Sequence, residues 1–294
     1  MKKIKTIKIG NTMIGPDYPC YIIAEIGSNF DGSLQKAKKL IKLAKDCGAN
    51  AVKFQSFKTD LLLSKKGFDE KSAFQAKWKK SVWKTYQDAE FPGKWHKILN
   101  NFSKKNRIQF FTSPWDFEAV DLLIELDVPA IKIGSGDITY FEMLRYVGKT
   151  GKPVILATGA SNMKEVESAV KIIKSTGNNN IYVCERGVSF GYNNLISDMR
   201  SLVVLRETKC PVVYDASHSV QQPGIDDTGS GGESEYIPTL AKAATAVGID
   251  ALFIETHPSP DKAISDGKNS LKISNMEELI NKVIKINAVV KNME

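Results

Sequence analysis

The sequence has few histidines and cysteines: three of the first and four of the second in 294 residues. Cys20, Cys47, Cys184 and Cys210 are widely separated and sit mostly inside apolar runs. That excludes a disulfide framework and a cysteine zinc cluster, and it points to reduced, buried thiols. No apolar run is long enough to cross a bilayer. The basic start Met1-Lys2-Lys3-Ile4-Lys5 leads into no apolar signal core. A cytoplasmic protein with no membrane partner is therefore expected. Arginine-rich stripes, nucleic-acid motifs, low-complexity tracts, linkers and internal repeats are all missing, so no nucleic-acid partner is expected either. The stretch Glu25-Ile26-Gly27-Ser28-Asn29-Phe30-Asp31-Gly32 does not have dinucleotide-binding glycine spacing, which argues against an open doubly wound sheet.

The residues present describe an ordinary globular protein, 42% apolar and 25% charged, and the length suits one barrel domain over 1–294. The net charge of +8 comes mostly from lysine and admits two readings. One is an anionic partner. The other is a set of solvated helix faces, favoured by the scatter of Lys36, Lys38, Lys39, Lys42 and Lys45 along one segment.

Apolar, β-rich runs alternate with amphipathic segments along the whole chain. Strands are predicted at 21–26, 51–57, 108–112, 130–134, 153–157, 181–185, 211–215 and 251–255. Helices are predicted at 34–47, 94–106, 116–125, 139–149, 162–175, 194–207, 235–247 and 275–290, with Ser33 opening the first and Ser161, with Lys164-Glu165, the fifth. Eight β-then-α units with strands apolar on both faces predict an α/β protein, a closed (β/α)8 TIM barrel. Within 1–15, the Gly10-Asn11 pair between two short β-like runs predicts an N-terminal hairpin plugging the barrel floor. Residues 58–92, carrying Trp78, Trp83 and Tyr86, form either a lid or subunit contact or a short helix packed by its aromatics.

In a barrel the chemistry lies at the carboxyl ends of the strands. Those ends hold Glu25; Lys53 and Gln55; Thr112-Ser113; Lys132 with Ser135 and Asp137; Thr158-Gly159; Glu185-Arg186; Asp215 with His218; and Glu255 with His257. Lys53, Lys132 and Arg186 are costly to bury unless an anion or carboxylates meet them. A phosphorylated, carboxylated ligand satisfies them, and so would a structural network with Glu25, Glu185 and Asp215. His218, Glu255, His257 and Asp266 form a second constellation, suited to a divalent metal such as Mn, Fe or Zn, although each histidine could also be a core residue or a base. Ser230-Gly231-Gly232 offers free backbone N–H groups, or is only a flexible turn.

The same residues resemble the phosphoenolpyruvate-dependent 3-deoxy-ulosonate synthases. Residues 20–165 resemble sialic acid (N-acetylneuraminate) synthases through AEIGSNFDGS (24–33), KFQSF (53–57), FTSP (111–114), IKIGSGDIT (131–139) and ILATGAS (155–161). Residues 181–269 resemble 3-deoxy-manno-octulosonate-8-phosphate synthases through CERGVSFGYNNL (184–195), DMRSL (198–202), CPVVYDASHSV (210–220), SGG (230–232), ETHPSP (255–260) and SDGKN (265–269).

The resemblance implies that Lys53, Lys132 and Arg186 hold phosphoenolpyruvate, with Ser135 and Thr158 adding hydrogen bonds. It implies that Glu25, Gln55 and Asp137 contact an open-chain aldose. His218, Glu255 and Asp266 correspond to metal ligands of the octulosonate family and His257 to a metal histidine of sialic acid synthases, for Mn, Fe, Zn or Mg. Glu25 or His218 would move protons, and a homo-oligomer is expected. Three features depart from the patterns: no cysteine ligand on the first strand, no Asn-Arg-Ser-Ser stretch after the second, and no C-terminal antifreeze-like domain. The reading is a synthase using an unphosphorylated, sialic-acid-type acceptor. The alternatives are octulosonate-8-phosphate synthesis from arabinose 5-phosphate, or a non-catalytic barrel binding sugar acids or phosphates.

Overall fold

A computed structural model describes residues 4–68, 80–187, 189–190, 195–223 and 231–293. Eight parallel strands form its centre: β1 (Tyr21–Gly27), β2 (Ala51–Ser56), β3 (Gln109–Pro114), β4 (Ile131–Ile133), β5 (Val154–Ala157), β6 (Ile181–Glu185), β7 (Val212–Asp215) and β8 (Ala251–His257). Each pairs with the next, and β8 pairs with β1, so the sheet closes on itself. The eight jacketing helices are α1 (Leu34–Asp46), α2 (Gly93–Lys105), α3 (Phe117–Glu125), α4 (Phe141–Lys149), α5 (Met163–Lys174), α6 (Met199–Leu205), α7 (Ile237–Val247) and α8 (Met276–Lys291). This is the expected TIM barrel. None of the described helices is long and apolar enough to cross a membrane.

Two separate apolar clusters follow from the period-two alternation of each strand. On β1, Ile22, Ala24 and Ile26 face the helices and join the outer cluster, whereas Tyr21 and Ile23 face the barrel axis. The axial cluster also takes Ala51, Phe111, Ala130, Ile155, Tyr182, Val213 and Phe253. It is apolar only towards the floor. One inward position further along, five of the strands turn charged, with Glu25, Lys53, Lys132, Asp215 and Glu255.

The hairpin forms as expected, with Ile7–Ile9 antiparallel to Thr12–Ile14 around Gly10 at φ +56°. Ile7, Ile9 and Ile14 are buried in the axial cluster, and the Tyr182 hydroxyl donates to the Ile7 carbonyl at 3.0 Å. Burying each such isoleucine stabilises the fold by roughly 1.5–3 kcal/mol.

Two boundary expectations shift. Asn162, rather than Ser161, opens α5: its side chain accepts from the Glu165 N–H while the Glu165 carboxylate accepts from the Asn162 N–H. Glu165 is three residues after Asn162, the spacing this reciprocal cap requires. The sixth helix is shorter than 194–207, because Leu195–Ile196 pairs antiparallel with Ser189–Phe190 and Asp198 caps α6 by accepting from the Arg200 N–H.

Among the described residues between β2 and α2 lie three short helices, Thr59–Leu62, Lys65–Phe68 and Val82–Ala89. Trp83 is buried and the Tyr86 ring packs on Phe57 at 5.6 Å. Trp78 lies outside the described residues, as does Ser230 of the Ser-Gly-Gly turn.

Candidate active site

Strand register sets the site. Glu255 of β8, Glu25 of β1 and Lys53 of β2 are successive partners across the sheet, so three charged side chains share one level of the barrel mouth. Lys53 Nζ lies 2.9 Å from Glu25 Oε2, with both side chains nearly sealed from solvent. Burial outweighs their attraction, pushing the Glu25 carboxyl above its ordinary range and the Lys53 ammonium below it. The expected cationic trio is therefore not uniform, because Lys53 already has a carboxylate partner.

Lys132 and Arg186 have no carboxylate within ion-pair distance among the described residues. Lys132 Nζ stands 5.0 Å above the Phe253 ring, a cation–π contact that suits a desolvated ammonium. Arg186 donates from Nη2 to Gln221 Oε1 at 2.8 Å, and its buried Nε has no partner among the described residues. Gly159 makes room for it: an added Cβ would stand 2.6 Å from Arg186 Cγ and 2.8 Å from Ser135 Oγ. Ser135 Oγ is likewise buried and unpartnered among the described residues. Thr158 differs from expectation, because its hydroxyl already donates to the Cys184 carbonyl at 3.2 Å and retains only lone pairs for a ligand.

On the sugar-contact side, Gln55 Nε2 and the carboxylate oxygens of Glu25 and Glu255 converge on Gly27, all within 3.8 Å of where its Cβ would be. Asp137 lies in the turn Ser135–Asp137 after β4, and burial raises its carboxyl despite the opposing charge of Lys132.

The second constellation separates. One ligand atom each from His218, Glu255 and Asp266 lies within 4.8 Å of the others. His218 Nε2 is 3.5 Å from Glu255 Oε2. His257 does not join them: its Nδ1 accepts from the Ser259 N–H at 3.0 Å and its Nε2 lies 3.2 Å from Lys36 Nζ. One imidazole and two carboxylates suit a divalent cation such as Mn, Fe or Zn. Glu255 supports the fit. Burial pushes its carboxyl well above the ordinary range, and the carboxylates of Asp266, Glu25 and Asp215 push the same way against the opposing charge of Lys53, a crowding of negative charge that a cation would offset.

Two supporting residues, Asn29 and Gln221, escaped sequence reasoning, and a third, Asp215, was read there only as a counter-charge to the cations. Asp215 Oδ2 accepts from His218 Nδ1 at 2.8 Å, which fixes the tautomer and leaves Nε2 free for a metal. Burial raises the Asp215 carboxyl, but the charges of His218, Arg186 and Lys132 outweigh it and hold it at about 2. Asn29 donates to Glu255 Oε1 at 3.2 Å and accepts from the Ile264 N–H at 3.0 Å, clamping the loop that carries Asp266. Gln221 also bonds Asp266, donating to Oδ1 at 3.1 Å. Asp215, three residues before His218, was the one with a local signal. Tyr86 adds a fourth neighbour: burial raises its phenol and the Asp266 charge raises it further.

The chain as a whole is similar to known proteins. A model of the NeuB family matches residues 40–199. The 2-dehydro-3-deoxyphosphooctonate aldolase of Stenotrophomonas maltophilia (strain R551-3) is 44% identical over 200 residues, 66% of this chain and 71% of that protein. The protein of the same name from Methylococcus capsulatus is 55% identical over 152 residues, 50% of this chain and 53% of its own length. Among solved structures, the N-acetylneuraminic acid (sialic acid) synthetase of Leptospira borgpetersenii superposes with a TM-score of 0.78 at 25% identity, over 99% of this chain and 92% of that one. The phospho-2-dehydro-3-deoxyheptonate aldolase (DAHP synthase) of Thermotoga maritima gives 0.77 at 23% identity, over 98% and 75%, and speaks to the barrel fold. Relatives of this kind are aldolases and synthases, which removes the non-catalytic alternative and makes this protein an enzyme. The chain belongs to the NeuB family, as the resemblance to 3-deoxy-ulosonate synthases implied.

Proposed function

We propose that the enzyme condenses phosphoenolpyruvate with a phosphorylated aldose, arabinose 5-phosphate, to give 3-deoxy-manno-octulosonate 8-phosphate and inorganic phosphate. The observation that carries this reading is the meeting, in one barrel mouth, of buried Lys132 and half-buried Arg186 with the His218–Glu255–Asp266 cluster. Identity of 44% to proteins named 2-dehydro-3-deoxyphosphooctonate aldolase supports the phosphorylated acceptor over the sialic-acid-type sugar expected from sequence.

Arg186 and Lys132 grip the donor's phosphate and carboxylate, and the free Ser135 hydroxyl adds a hydrogen bond. Lys53, shared with Glu25, adds the third positive charge and aligns Glu25 beside the reacting carbons. Fixing donor and acceptor in register converts a bimolecular step into one within the complex. C3 of phosphoenolpyruvate attacks the aldehyde carbon, water adds at C2, and phosphate leaves by C–O cleavage, its developing charge met by Arg186 and Lys132. Glu25, raised by burial, is suited to carry a proton in the condensation. His218, Glu255 and Asp266 would hold a divalent metal, and the chemistry it would supply there is Lewis-acid polarisation of the aldehyde. Gln55 and Asp137 orient the open-chain sugar.

A second reading, an N-acetylmannosamine-type acceptor, is supported by the family match over 40–199 and by the absence of an Asn-Arg-Ser-Ser stretch, with Lys58-Thr59-Asp60-Leu61 in its place. Phosphate release from phosphoenolpyruvate, measured with each aldose and with or without chelator, decides. Release with arabinose 5-phosphate is expected. Release only with N-acetylmannosamine reverses the choice, and release with neither ends both.

A further inference from the structure

Gln221 joins the two halves of the site through one amide. Its Oε1 accepts from Arg186 Nη2 at 2.8 Å and its Nε2 donates to Asp266 Oδ1 at 3.1 Å. The neighbours dictate this orientation, since a guanidinium only donates and a carboxylate only accepts. No charged side chain serves both ends: a glutamate would repel Asp266 and a lysine would repel Arg186.

The backbone on either side is pinned. Gln221 stands opposite Gly232 in a short antiparallel pair. Gly232 in turn packs on the chain just after Asp266, where an added Cβ would lie 2.9 Å from Asn269 Cβ and 3.1 Å from the Lys268 carbonyl carbon. Asp266 itself adopts φ +52°, a left-handed conformation that costs an L residue free energy and persists only when its surroundings enforce it. Gln221 and Asn29 are among the contacts that enforce it, Asn29 by holding the neighbouring Ile264 and Ser265 N–H groups.

We propose that Gln221 is a positioning residue that couples filling of the anion pocket to filling of the His218–Glu255–Asp266 cluster, an inference that rests on the site reading above. An anion on Arg186 fixes the guanidinium. Gln221 is fixed with it, and the Asp266 carboxylate is then held towards His218 and Glu255. A cation on Asp266 acts in the reverse sense, and linkage requires the same factor in both directions.

The test is isothermal titration of the intact chain with Mn2+ alone, with inorganic phosphate alone, and with each in the presence of the other. In the wild type each ligand should tighten the other by about 5-fold or more. Direct attraction between cation and anion persists in every variant, so the share due to Gln221 is what Gln221→Met and Gln221→Ser remove. Both variants should show less than half the wild-type factor, with circular dichroism and melting temperature nearly unchanged. An unchanged factor in either folded variant overturns the coupling while the site reading stands. Failure of the wild type to bind either ligand overturns both.

Discussion

Lys53 Nζ stands 2.9 Å from Glu25 Oε2, on adjacent strands and in register, inside a barrel that admits almost no solvent to either group. Removing one partner leaves the other charge buried alone, which costs about 3–5 kcal/mol. Lys53→Met should therefore lower the urea unfolding free energy by that amount. A Lys53→Met/Glu25→Leu double variant should recover most of it while remaining inactive. If the single variant is as stable as the wild type, the pair is not sealed as described.

Asp215 holds His218 by a 2.8 Å hydrogen bond to Nδ1. Asp215→Asn keeps the shape but loses the charge and the fixed tautomer, and changes of this kind cost about 10–100-fold in metal affinity. Titration with Mn2+ checks it. Dialysis against chelator should also abolish turnover of the wild type, with recovery on adding the metal back.

His257 gives the opposite expectation. Both its ring nitrogens face groups outside the cluster, Ser259 N–H and Lys36 Nζ. His257→Ala should leave Mn2+ affinity within about 3-fold, since loss of a direct ligand costs more than the 10–100-fold of a supporting contact. A loss of 100-fold would return His257 to the metal ligands.

Gly159 lets Arg186 and Ser135 approach the same point, and a methyl group there would stand 2.6 Å from Arg186 Cγ. Gly159→Ala should displace the guanidinium and raise the donor KM by about 10-fold or more, the loss of one charge-assisted hydrogen bond of about 1.5–3 kcal/mol. The acceptor KM should change little. An unaltered donor KM would count against Arg186 as the anion anchor.

Glu185 makes stability depend on pH. Burial pushes its carboxyl up to about 7, opposed by the Gly187 N–H, which donates at 2.6 Å, and by the Arg186 charge. An unfolded glutamate titrates near ~4.3. Between those values the folded chain keeps a proton that the unfolded chain has lost. The contribution is thus complete below the unfolded value and disappears as pH rises through about 7. Relative to Glu185→Gln, the wild type should lose roughly 3 kcal/mol between pH 4 and pH 8, read from urea unfolding at each pH. A constant difference would show that the side chain is solvated.

Much of this protein is written in local pattern. Apolar, β-rich runs located all eight strands, amphipathic segments located the jacketing helices apart from the start of the sixth, and the hairpin turn was legible in Gly10-Asn11. The inward residues near the strand ends, Glu25, Lys53, Lys132 and Glu255, were legible too, because a period of two fixes which side chains face the axis once the barrel is assumed.

Other features belong to the tertiary structure alone. Strand register decided that Glu25 pairs with Lys53, leaving Lys132 and Arg186 of the expected trio without a carboxylate partner among the described residues. Loop geometry decided that Asp266, rather than His257, completes the cluster, and that Asn29 and Gln221 hold it there. The physical reason is range: side-chain period is a property of neighbouring residues, whereas pairing of charges depends on distances of a few ångströms between strands far apart in sequence, which only the closed barrel sets.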